Sequence, residues 1–137
     1  LSHQIYEETL PNANHDLVLW GIVDEGLATY FENRFNQGTI AQSIGITPEQ
    51  YEWCLKNEQK ILELTLPLLS STDRKDEMVL RKKGGLLIGS PGQLNYFLGY
   101  RMIEKYVAKF GEESWKDCYF LPVNEVFDIS GYGQIVR

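Results

Sequence analysis

Trp20-Gly-Ile-Val-Asp-Glu-Gly-Leu-Ala-Thr-Tyr-Phe31 reads as a helix that is apolar nearly all round, with the acidic pair Asp24–Glu25 at its middle. A helix of that pattern is buried. An ionised carboxylate inside it is costly unless a cation or several hydrogen bonds compensate it. An arginine, a lysine or a metal ion must therefore face Asp24 or Glu25, and a metal ion is the expected partner. Gly21 and Gly26 flank the pair. Each costs about 1 kcal/mol against alanine in a helix interior. Their small size lets another backbone, or the ligands of a bound ion, come close.

Outward from this stretch, the helix is predicted to run from about Asp16, a plausible N-cap, to Arg34. Leu17, Trp20, Asp24, Leu27 and Phe31 share its broad face, and Asn36-Gln37-Gly38 ends it. Residues 1–14 read as the end of an upstream element followed by a loop, and 39–46 as a loop or loosely helical connector. Thr47-Pro48-Glu49-Gln50 is a strong helix start, with Thr47 as cap, Pro48 in the first position and Gln50 completing a capping box. The second helix carries Tyr51, Cys54, Leu55, Leu62 and Leu66 on one side, and Pro67 ends or kinks it. Residues 70–83 read as a charged, exposed segment, and Gly84–Gly92 as a short strand or irregular loop. A third helix spans Gln93 to Phe110 with Tyr96, Tyr100, Ile103, Val107 and Phe110 as its core stripe, stopped by Gly111. A helical turn at 112–118 and a last helix around Val123–Asp128, led by Pro122, complete a mainly α chain.

The bulk numbers narrow the function classes. A chain of 137 residues with 43% hydrophobic and 12% aromatic content is expected to fold as one packed domain. A net charge of −6 argues against nucleic acid as the main partner, since phosphate binding needs clustered Lys and Arg. The one basic run, Arg81-Lys82-Lys83, reads as a solvated loop. Cys54 and Cys118 do not make a secreted disulfide framework, although a single bridge is open to them, and Cys54 falls on an apolar face. No apolar run approaches the length of a membrane span. No signal peptide is visible, but the chain starts at Leu1 rather than Met, so a processed, truncated or partial product is expected and the compartment is unread.

Three blocks carry a resemblance. Asp24-Glu25-Gly-Leu-Ala-Thr-Tyr-Phe31 resembles the third-ligand helix of gluzincin-type peptidases, and more closely a bacterial family of zinc-dependent proteases with an E-G-L-A-x-x-F block. Pro91-Gly92, followed by Tyr96-Phe97-x-Gly99-Tyr100-Arg101-Met102-Ile103, is similar to that family's G-Y-x-I helix. Leu121 to Tyr132 resembles its closing S-G-Y segment. The resemblance implies a zincin-like C-terminal helical subdomain over residues 1–137, part of a larger peptidase domain. It implies Zn²⁺ as cofactor, a peptide or protein as substrate, and Glu25 as the third metal ligand. The family's HExxH pattern is absent. Either His3-Gln4-Ile5-Tyr6-Glu7 is a degenerate copy, in which His3 stays a ligand, or the intact motif lies before Leu1. As it stands the chain is not expected to hydrolyse peptides alone.

Each candidate has a plainer alternative. Glu25 is a metal ligand, or a buried acid paired with backbone amides or an arginine such as Arg101. His3 is a ligand or an ordinary surface histidine; Asp24 orients a ligand or lies on the helix surface; His15 sits exposed near the cap. Tyr100 donates to a developing oxyanion, or is a core aromatic with its hydroxyl at the edge. The rival to the zinc peptidase is an inactive zincin-like module that docks a protein or peptide along Gly84–Gly92.

Overall fold

The computed structural model describes residues 1–11 and 13–135. Eight α-helices occur among them: α1 Ser2–Thr9, α2 Val18–Asn36, α3 Ile40–Ile44, α4 Pro48–Lys56, α5 Glu58–Thr65, α6 Arg74–Arg81, α7 Leu94–Phe110 and α8 Val123–Ser130. Three 3₁₀ turns, Leu66–Leu68, Ser114–Phe120 and Tyr132–Ile135, connect or follow them, and the described residues contain no strand. The mainly α expectation therefore holds.

The two long helices, α2 and α7, form the centre. Both are apolar over much of their circumference, and they bury Trp20, Ile22, Val23 and Leu27 against Phe97, Leu98, Met102 and Ile103. Their crossing has a glycine on each side. A Cβ on Gly26 would overlap the backbone of Gly99, and one on Gly99 would overlap the Ile22 carbonyl oxygen. The small residue that the sequence placed beside the acidic pair thus admits another helix's backbone. Gly21 has no atom near its missing Cβ and faces open space.

The short helices wrap this pair. Tyr6 of α1 stacks on Trp20 with ring centroids 4.1 Å apart, which fixes α1 along the first half of α2. α8 packs on α7 and α2, and α6 packs on α7. The capping box at Thr47–Gln50 forms as predicted. A second box, Thr39 with Gln42, turns the expected connector into α3.

Several expectations need correction. Asp16 does not cap α2. Leu17 takes that position without a side-chain bond, and the free N–H groups of Val18 and Leu19 donate to the carbonyls of Ser71 and Leu69. The predicted second helix is two helices, broken where the Asn57 side chain donates to the Trp53 carbonyl at 2.8 Å. The charged segment 70–83 contains α6, capped by Asp73 and anchored by the fully buried Leu80. Of the two alternatives for Gly84–Gly92, the irregular loop is the one adopted. The buried stripe of α7 centres on Phe97, Met102 and Ile103, while Phe110 is 55% exposed. Cys54 and Cys118 are both buried and unbridged, and burial pushes each thiol up to about 12.

Candidate metal centre

Asp24 and Glu25 occupy consecutive positions of α2, on the side that α1 covers. Their side chains are 16% and 13% exposed, so both acids are withdrawn from water. The group that faces them is His3. Its Nδ1 lies 2.9 Å from Asp24 Oδ2 and its Nε2 lies 3.4 Å from Glu25 Oε1. A doubly protonated ring donates to both carboxylates. His3 itself is 48% exposed, leaving its ring room to turn. One ligand atom from each of the three residues falls within 4.8 Å of the others. A neutral imidazole nitrogen with two carboxylate oxygens is a donor set that suits zinc and neighbouring divalent ions.

Compensation of the acids is incomplete. Asp24 Oδ1 is buried without any hydrogen-bond partner. Burial holds the Asp24 carboxyl above its usual range; the His3 contact pulls it back, and Glu25 and Glu7 push it further up. Tyr96, one helix over, is pushed up to about 12, first by burial and then by Glu25. A divalent ion bound to Asp24 would satisfy the orphaned oxygen and remove the repulsion.

Beside the cluster opens a cleft of about 290 Å³, walled by the start of α2, the first turns of α6 and Asn95 of α7. Glu7 lines it, but lies outside the three-residue cluster. Gln4 turns away and donates to Glu8 on the surface. His15 lines the cleft and stacks on Trp20 at 4.2 Å, a packing role the sequence did not suggest. Tyr100 is buried against Tyr30, its hydroxyl raised by burial, and is not among the residues lining the cleft. Arg101 does not reach Glu25. Its Nε and Nη2 donate to Glu58 at 2.7 and 3.0 Å, and its Nη1 to Glu104 at 2.6 Å. Sequence reasoning undervalued Asp24 and missed Asn95. The place of Asp24 on the buried face was visible; the approach of α1 was not.

A family model described as "Gliding motility protein GldB" matches residues 1–134. The chain belongs to this family. No curated protein and no solved structure gives a match. The match overturns the gluzincin resemblance, and with it the reading as a zinc metallopeptidase or hydrolase and as that enzyme's inactive relative. It lends no support to the zincin-like part of the fold expectation. The physical reason is that residues carrying the likeness serve packing. Gly26 and Gly99 admit the helix crossing, and Tyr132 donates to Glu58 at 2.9 Å. Short blocks fixed by helix contacts recur without shared chemistry. Among the described residues, no helix is long and apolar enough to cross a membrane.

Proposed function

We propose that this chain serves gliding motility as a helical module whose His3–Asp24–Glu25 cluster binds a divalent cation, zinc fitting the donor set best. The family match over residues 1–134 supports the cellular role. The single observation that carries the cation reading is the orphaned Asp24 Oδ1 inside a tight group of one imidazole and two carboxylates. An imidazole gives an ion one nitrogen, and one ligand atom from each of His3, Asp24 and Glu25 already lies within 4.8 Å of the others, so a turn of the half-exposed His3 ring would bring the three around one cation. Held there, the ion supplies positive charge between α1 and α2; His3, Asp24 and Glu25 fix its position.

The test is metal analysis and zinc titration of the purified protein after chelator treatment. About one equivalent of zinc is expected, with affinity falling at least about tenfold in Glu25→Gln and in His3→Ala. Equal zinc uptake by wild type and both variants overturns the cation site. Separately, deletion of the gene in a gliding host is expected to stop colony spreading. Spreading that persists overturns the motility role.

A further inference from the structure

We propose that the cleft beside the cluster receives an N–H-bearing organic cation, of the kind that a lysine or arginine side chain presents. Six carboxylates line it: Glu7, Asp16, Asp24, Glu25, Asp73 and Glu77. Only two guanidinium groups oppose them, Arg74 and Arg81, and Arg81 is already held by Glu77 at 2.8 Å. The cleft is therefore strongly negative, and charge complementarity selects a cation.

Asn95 independently identifies a missing donor. It is 2% exposed, it lines the cleft, and its Oδ1 has no hydrogen-bond partner. Asp24 lines the same cleft, and without an ion its buried Oδ1 is likewise unpartnered. Both atoms accept hydrogen bonds, so what each lacks is a donor. A buried polar group left unpaired is expensive, and a ligand that pairs it recovers that loss.

Chemistry separates this ligand from the metal ion. Among the described residues, His3, Asp24 and Glu25 are the one group whose ligand atoms gather within 4.8 Å. The other carboxylates come from α1, the loop before α2 and the start of α6, and are dispersed along the cleft. Dispersed acceptors suit a ligand with several donors, three on an ammonium and five on a guanidinium. Leu17 and Gly21 line the same wall and offer an apolar path for the methylene stem. The inference does not depend on the metal reading, because the cleft retains its charge and Asn95 without any ion.

Calorimetric titration of the chelator-treated protein with tetralysine and, separately, with spermidine tests the idea. Saturable binding that weakens with salt is expected. Tighter binding of the peptide identifies a partner segment as the source, and equal or tighter binding of spermidine a free polyamine. Gly21→Lys places an ammonium stem in the open space above α2 and is expected to reduce binding by about tenfold or more. Asp16→Asn with Glu77→Gln is expected to do the same without filling the cleft. Absence of binding by both probes to the wild-type chain overturns the proposal, as does equal affinity in Gly21→Lys and the double variant. Zinc uptake that survives such a result leaves the cation cluster standing.

Discussion

Glu58, where α5 meets α7, receives three hydrogen bonds from fixed side chains: two from Arg101 and one from the Tyr132 hydroxyl. Asp24, where α2 meets α1, receives one contact from a half-exposed histidine and keeps an oxygen with no partner. Both acids are similarly withdrawn from water, at 12% and 16% exposure. The difference lies in who answers them. A guanidinium is charged at every working pH and fork-shaped, so it closes the Glu58 site permanently. An imidazole can lose its proton, turn, and present a lone pair to an ion. One acid is a rivet between helices. The other keeps an unpartnered acceptor, the site proposed to take an ion.

The largest effect is expected from breaking the closed site. Arg101→Met leaves Glu58 buried without its cation, with only the Tyr132 hydroxyl still donating to it, and is expected to cost about 3 kcal/mol in denaturant unfolding, with the transition still cooperative. A loss near zero would mean that Glu58 is not answered by Arg101 in solution, and the contrast would vanish. At the open site, Glu25→Gln is expected to reduce zinc affinity about tenfold or more while shifting metal-free stability by less than about 1 kcal/mol. A smaller probe of the rivet is Tyr132→Phe, which deletes one donor to Glu58 and is expected to cost about 1 kcal/mol.

The smallest effect has the opposite sign and sharpens the comparison most. Burial raises the Asp24 carboxyl above its ordinary value of 3.8, so the folded chain holds that proton more tightly than the unfolded one. Stability is then lost as pH rises from about 3.8 through the raised folded value. Without metal, Asp24→Asn should abolish this part of the decline, so that the variant gains on the wild type as pH rises to neutral. Urea unfolding across that window, with and without zinc, measures it. Zinc should flatten the wild-type slope and leave the variant unchanged.

The sequence made some of this legible. The burial of α2 and α7 follows from their apolar circumference, and the start of α4 from a local signal, the Thr47–Gln50 box. The buried acid pair was visible for the same reason: a charge inside an apolar helix stands out. His3 entered as a ligand only through the peptidase likeness; the residues alone did not bring it to the acids, because its approach depends on Tyr6 stacking against Trp20, a contact between separate helices. The helix α6 was hidden by its own charges, although Asp73 as cap and the Glu77–Arg81 spacing were there to be read. The peptidase likeness misled because glycines required by a close helix crossing look the same as glycines required by a ligand.

That crossing has a further consequence. Gly26 follows Glu25 directly, so the close helix crossing and the acid cluster are neighbours along a single turn. Helices touching backbone to backbone cannot slide past each other without collision. The cluster therefore inherits a fixed axial setting from α7, as a vernier takes its zero from the bar it rides on; if the proposed cation binds there, its capture is expected to proceed by a swing of one imidazole rather than by rearrangement of the bundle.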